Sequence, residues 1–368
     1  MCPSPALAGL TFGGEASVRL QDWITGITPK NNVDWQYRLN LRAAADLGEG
    51  YYFKALFTNE SSNNDGWKTV GYGNTETYNL QVSQCYFGHR SSQDHYVVGR
   101  LPFNGGDNPI CDLILYPTQP LNSPVSLVNR IFGANYGFKA GNGDLNASFV
   151  VLDNNGAGNT AASGDGLLHD GYAIHATYKF NIGEVTFDPQ VITVLTKTDV
   201  FTATQSPYGN SAFPIHYGFR PVSYGTNISF PAESIKITAG GFFTRGCGKT
   251  PAGAPTTLSI NEEAINISSL YGGNVDYFGD LFRIKVESGP LTVWYDHNST
   301  TDKSSGTPYL YTNNFIWAQY KINLYHSAKG SFTIQPTLRY LSSKESIADV
   351  AKPENTLLLP ELWATMTF

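Results

Sequence analysis

The side chains most able to act together are charged residues at alternate positions of long alternating stretches. The basic set is Arg19, Arg38, Arg42, Lys54, Arg100, Lys179, Lys236, Arg283, Lys285, Lys321 and Arg339. The acidic set is Glu15, Asp34, Asp46, Glu184, Asp188, Asp296 and Glu361. If these face one water-filled space, opposed charges would build a transverse field. Such a field orients dipolar solutes, disfavours apolar ones and sets an ion preference. Arg19, Arg38, Arg42 and Arg339 form a candidate basic wall. Asp107 and Asp112, in a proline-rich segment, could face it. The positive excess of that wall predicts a weak anion preference. Each charge also has a plainer reading, as a solvated side chain or half of an Arg–carboxylate pair.

Catalytic chemistry has less support. No G-x-S-x-G, H-E-x-x-H, P-loop or dinucleotide-binding fingerprint appears. His175, His216 and His297 sit on separate stretches and read as solvated or packed side chains. A Ser/His pair inside the wall stays open as an alternative, but the expectation is a protein without enzymatic activity, cofactor or metal. Cys2, Cys85, Cys111 and Cys247 lack metal-site spacing. Cys85 reads as inward and Cys111 lies in the proline-rich segment, so these two could pair in an oxidising compartment. Free thiols are the other reading.

These residues must be positioned by strands. Over residues 33–47 every odd residue is apolar or aromatic, and nearly every even one is polar or charged. Period two means a strand with one greasy and one wet face. Soluble strands usually run about 5–6 residues. This one is long enough to cross a bilayer when tilted. The same alternation recurs at 10–23, 51–58, 78–88, 95–101, from 127, from 145, and at 171–180, 185–197, 215–230, 235–245, 271–287, 291–298, 311–325, 332–341 and 356–368. The strand over 215–230 changes parity near 221–223, which predicts a bulge there. Short turns such as Gly48-Glu49-Gly50 alternate with long polar loops. About sixteen strands, eight long loops and seven short turns result, with both termini on the short-turn side. That is how an antiparallel barrel closes.

Composition agrees. The 368 residues include 37 Gly, 22 Tyr, 21 Phe and 6 Trp but 2 Met, and charged residues are 15%, below the roughly 25% of soluble domains. Mean hydropathy is −0.23, and no apolar run reaches the roughly 18 residues of a helical span. Low charge with many aromatics fits an outer-membrane barrel with a polar lumen. A net charge of −6 argues against nucleic acid as partner. Residues 1–8 end in Ala6-Leu7-Ala8, shaped like a cleavage site. They read either as the remnant of an export signal or as an ordinary N-terminal segment. Residues 9–368 read as one barrel domain.

One segment departs from the pattern. Residues 102–126 hold Pro102, Pro109, Pro117, Pro120 and Pro124 together with Ile110, Leu113, Ile114 and Leu115. Proline at this density excludes a ladder strand, and the apolar residues need a surface to pack on. The barrel interior offers one. Trp294, Trp317 and Trp363 fall on the inward parity, where they could line a sugar track or pack against lumen loops. Other Tyr and Trp at strand ends read as interface girdles.

Three features together resemble bacterial outer-membrane general porins over nearly the whole chain. They are the strand count with alternating turn lengths, the last strand ending in Phe368 behind Met366 and Ala364, and the third long loop at 102–126. The glycine often found earlier in the porin C-terminal signal is absent here. The resemblance implies an all-β, up-and-down transmembrane barrel whose third extracellular loop folds inward. It implies passive diffusion of ions and small hydrophilic solutes, outer-membrane lipid as surroundings, and a homotrimer. Arg19, Arg38, Arg42, Arg100, Asp107, Asp112 and Arg339 are the expected pore-lining residues. Two alternatives remain: a substrate-specific channel with a lumen binding track for a sugar or anion, and a non-conducting barrel serving as adhesin, enzyme or envelope anchor.

Overall fold

A computed structural model describes residues 9–25, 33–59, 66–102, 131–153, 171–195, 220–247, 257–260, 263–266, 277–303, 309–347, 350–351 and 353–368. Sixteen antiparallel staves make up the wall. They are β1 (Gly9–Asp22), β2 (Val33–Gly48), β3 (Tyr51–Thr58), β4 (Gln81–Arg90), β5 (Asp94–Leu101), β6 (Ile131–Ala140), β7 (Gly143–Asp153) and β8 (Gly171–Ile182). Then follow β9 (Val185–Val194), β10 (Arg220–Ala232), β11 (Ile235–Cys247), β12 (Tyr277–Ser288) and β13 (Leu291–Asp302). Stave β14 runs Tyr309–Tyr320 and continues as Ile322–Ser327, and β15 (Gly330–Ile347) and β16 (Asn355–Thr367) complete the wall. Each stave pairs with the next, and β1 pairs with β16, from Glu15 opposite Thr367 to Gln21 opposite Glu361. Closure leaves no open edge in hydrocarbon, where an unpaired backbone group has no water to turn to. At the seam the Gly14 N–H donates to the Phe368 carbonyl at 2.8 Å, and the Phe368 N–H donates back at 3.1 Å. A Cβ at Gly14 would come within 2.6 Å of the Phe368 ring and 2.9 Å of the Asn40 carbonyl. Glycine is therefore needed there.

The two faces invert those of a soluble protein. Phe12, Phe87 and Phe132 point outward and are more than half exposed, whereas Ser223, Thr244, Asp296 and Asn313 point inward and are buried. Such an apolar exterior would be an aggregation surface in water. In lipid it is the solvated side. Polar inside, apolar outside and closed on itself, the chain is a transmembrane β-barrel. Seven short turns join the staves at one rim, and the longer connections leave from the other, as the alternation of turn lengths predicts.

The third stave is built from two pieces. Only the lower half of β2 pairs with β3, from Leu41 opposite Phe57 to Gly48 opposite Tyr51. Higher up, β2 pairs instead with Lys68 and Thr69, opposite Tyr37 and Gln36. Between the two pieces sits the Tyr78 hydroxyl. It accepts from the Leu39 N–H at 2.7 Å and lies 3.1 Å from the Leu39 carbonyl and 3.2 Å from the Gly66 carbonyl. A side chain thus stands where a neighbouring strand would otherwise satisfy the backbone.

Three expectations are corrected. The ladder of β10 runs unbroken from Arg220 opposite Cys247 to Ala232 opposite Ile235, so there is no bulge at 221–223. The parity change read there came from mixed polar and apolar residues and not from an extra one. Cys85 faces outward. The register between β3 and β4 slips at Leu56/Phe57, with Ser83 as the extra residue, and this exchanges the faces of everything after it. Cys85 then lies opposite Ala55 and Arg100. Arg100 is also on the outer face, opposite Phe132. It lies next to the long-loop rim, and its Nη1 donates to the Val82 carbonyl at 2.9 Å. The proposed inward loop 102–126 lies outside the described residues apart from Pro102, and so do Asp107, Asp112, Cys111 and residues 1–8.

Candidate lumen site

Alternation along β1, β2, β15 and β16 carries Arg19, Arg38, Arg339, Glu361 and Trp363 inward, and closure at the β1–β16 seam brings them together. Glu361 is the hub. Its Oε1 accepts from Arg19 Nη1 at 3.2 Å and also from Arg339 Nη2, and its side chain is 0% exposed. Its Oε2 accepts from Trp363 Nε1 at 3.0 Å. Arg19 Nε donates to Gln36 Oε1 at 2.8 Å. Arg38 pairs with Glu15. A buried carboxylate between two guanidiniums offsets its own desolvation only through this many charge-assisted bonds.

The short piece of the third stave delivers a ring to the same place. Since Thr69 sits inward beside Gln36, Trp67 two residues earlier also points inward, and it is 3% exposed. The Arg19 guanidinium carbon lies 4.3 Å from the Trp67 ring centroid and that of Arg38 lies 4.7 Å from it. Trp67 meets Trp363 edge-on at 5.2 Å, and Trp363 meets Trp317 edge-on at 6.3 Å. Trp317 stacks on Trp294 at 4.7 Å with 7° between planes. Arg339 lies 5.1 Å from the Trp317 centroid. Four indoles and three arginines so form one contiguous wall, each cation over an aromatic face. Beside it, Arg283 Nε and Nη2 donate to the two oxygens of Asp296 at 2.6 and 2.7 Å.

This wall borders a cavity of about 350 Å³. It is lined by Arg19, Arg38, Trp67, Lys285, Glu287, Thr292, Trp294, Trp317, Gln319, Arg339 and Trp363. A larger cavity of about 730 Å³ lies among β3 to β9, where Tyr52, Tyr86, His175, Lys179 and Asp188 contribute. His175 there is paired with Gln190 Oε1 at 3.2 Å. Outside the wall, Gly71 N–H donates to Glu76 Oε2 at 2.8 Å. That bond, with a further one from the backbone of Glu76 itself, holds the carboxyl below its ordinary value.

Of the residues read as pore-lining, Arg19, Arg38 and Arg339 converge. Arg42, opposite Gly13 in the ladder, shares their face nearer the short turns. Arg100 stands apart on the outer face. Trp294, Trp317 and Trp363 occupy the inward positions that alternation gives them. Trp67 was not anticipated, because it lies in a Gly-, Asn- and Ser-rich stretch. Trp67-Lys68-Thr69-Val70 reads apolar, polar, polar, apolar, so no alternation marked it.

The fold is that of bacterial outer-membrane porins. An anion-selective porin from Comamonas acidovorans superimposes with a TM-score of 0.55 at 11% identity, over 97% of this chain and 99% of that one. OprB of Pseudomonas putida gives 0.55 at 12% identity, over 98% and 94%. The trimer form of OmpT of Vibrio cholerae gives 0.54 at 8% identity, over 98% and 99%. No protein-family profile matches the sequence. No curated protein matches it either.

Proposed function

We propose that the chain is an outer-membrane channel for passive diffusion of ions and small hydrophilic solutes, assembled as a homotrimer. The observation that carries this reading is the closed sixteen-stave wall with a polar interior and an apolar exterior. Sixteen strands leave room for an aqueous lumen, which eight would fill with side chains. Arg19, Arg38, Arg42 and Arg339 give the lumen a positive wall, so the channel favours anions weakly. Narrowing by loop 102–126, with Asp107 and Asp112 across from that wall, is part of the proposal. The trimer draws support from the fold shared with trimeric OmpT. No step requires a cofactor, and the reading is transport rather than catalysis.

The test is single-channel recording in planar bilayers, with the reversal potential taken under a salt gradient. Steady, near-ohmic steps with a reversal potential of anion-favouring sign are expected. Folded, heat-modifiable protein that passes no current would overturn the channel. Chemical cross-linking in native membranes that yields monomers alone would overturn the trimer.

A further inference from the structure

We propose that the outer face of β12 to β14 holds a second copy of this chain, around the threefold axis of the assembly. The inference rests on the trimer proposed above and names the surface through which it forms.

Outward positions on these staves break the apolar pattern of the exterior. Leu281 and Arg283 are buried inward on β12, so Asp280 shares the outer face with the exposed Phe282 and Ile284. Asp296 and Asn298 are buried inward on β13, which turns His297 and Ser299 outward. Asn313 and Phe315 do the same for Asn314 on β14. The ladder sets Asp280 opposite Ser299 and His297 opposite Asn314. One contiguous polar cluster results. Exposed apolar and aromatic side chains frame it, with Phe282, Ile284, Tyr295 and Ile316 toward the short turns and Leu310 toward the other rim.

Depth decides what can sit against it. Asp280 is eight residues above Ser288, the end of its stave, and His297 is six above Leu291. At about 3.3 Å per residue and a tilt of about 40°, these are heights of roughly 20 and 15 Å. Both fall inside the apolar band of an outer-membrane barrel, which is about 25 Å tall. Hydrocarbon offers such groups no partner, and headgroups lie above them. Polar side chains at that depth face protein.

The hydrogen bonds within the cluster leave a matched donor and acceptor over. Asn314 Oδ1 accepts from the Tyr295 hydroxyl at 2.7 Å and from His297 Nδ1 at 3.0 Å. The neutral imidazole therefore carries its proton on Nδ1 and offers Nε2 as an acceptor. Asn314 Nδ2 keeps its two donors. Neither Nδ2 nor Nε2 has a partner among the described residues. The Asp280 carboxylate is taken up by Ser299. Donor and acceptor stand side by side on one rung, so the Asn314 amide of each copy can donate to His297 of the partner subunit. Three such head-to-tail contacts close a ring. A different partner would need its own complementary pair, whereas a second copy carries it already.

The test uses the full-length barrel. A photoreactive benzophenone amino acid replaces Ile316, which is outward and beside the cluster, or, as a control, the outward Ile174 on β8. After irradiation of native outer membranes, position 316 is expected to yield a covalent dimer of this chain, and position 174 lipid adducts. Asn314→Leu should leave a heat-modifiable barrel whose trimer dissociates about tenfold more readily, the effect of one lost hydrogen bond, read by native mass spectrometry over a dilution series. Were this face in lipid, exchanging an amide for hydrocarbon would leave assembly unchanged. Lipid adducts alone at position 316, an adduct to another protein, dimers from both positions alike, or an Asn314→Leu trimer as tight as the parent would each overturn the contact. Trimers by mass with lipid adducts alone at position 316 sink this surface and keep the assembly, whereas monomers alone sink both. Self-contact without conductance sinks the channel alone.

Discussion

Arg19 and Trp67 meet in the lumen although one belongs to the first stave and the other to the connection after the third. The guanidinium carbon lies 4.3 Å from the ring centroid, with Arg38 at 4.7 Å from that same centroid. The ring holds two like charges on one surface, and each cation–ring contact contributes about 0.5–2 kcal/mol. Trp67→Ala should lower stability by about 3–5 kcal/mol, the usual cost of removing a buried tryptophan. It should also raise single-channel conductance, because the ring occupies lumen space. Urea unfolding in lipid vesicles and bilayer recording read the two effects. Unchanged conductance would place the ring outside the ion path.

The Tyr78 hydroxyl serves the Leu39 backbone at the gap in the third stave. Tyr78→Phe leaves that N–H unmet at low cost to packing. A loss of about 1–3 kcal/mol is expected from one buried unsatisfied group. Tyr72→Phe is the control, since Tyr72 is 99% exposed and should change nothing. Equal stability of the two variants in urea titrations would show that water takes over at Leu39.

Glu361 separates Arg19 from Arg339. Glu361→Gln keeps the shape and removes the charge, leaving two buried guanidiniums facing each other. Breaking such a pair costs about 3–5 kcal/mol. Folded protein should also become more anion-preferring, read as a larger reversal potential of the same sign. A shift toward cations would contradict the electrostatic role given to this hub.

Glu76 fastens its loop through the Gly71 N–H, and that bond holds its carboxyl below the ordinary glutamate value of 4.5. A depressed carboxyl stabilises the folded loop above the ordinary value. That contribution fades as pH falls through the lower folded value. Protection of the Gly71 amide, measured by hydrogen exchange and corrected for intrinsic rates, should therefore be lost only at pH below 4.5. Glu76→Gln should lack this transition. A variant that keeps it would assign the loop's acid response to another group.

The wall was legible wherever one face is uniformly greasy. The alternation over Val33 to Leu47 places Arg38 and Arg42 without ambiguity, and the same reading aligns Arg19, Arg339 and Trp363 across the seam. It failed where period two is degenerate or interrupted. Val97 and Val98 are adjacent in β5, so hydrophobicity alone could not tell its faces apart, and the charge of Arg100 suggested the wrong one. Near a rim an outward arginine can hydrogen-bond the backbone and need not enter hydrocarbon. Cys85 was misplaced by one extra residue at Ser83, which no composition signals. Trp67 was invisible because a two-residue ladder is too short to show a period.

Because part of the third stave is lent by a connection, the lumen there need not evolve under the rules that bind the rest of the wall. A stave must keep one face for lipid at every second position. The stretch carrying Trp67 is tied to β2 by a two-residue ladder, by Val70 N–H on the Trp35 carbonyl and by Gln36 on Thr69, so a change in its inward side chain alters stability and lumen shape without touching the pairing that closes the barrel at β1 and β16. The lumen lining is adjustable at this panel, while the arginines and Glu361 at the seam are held by their own ion pairs.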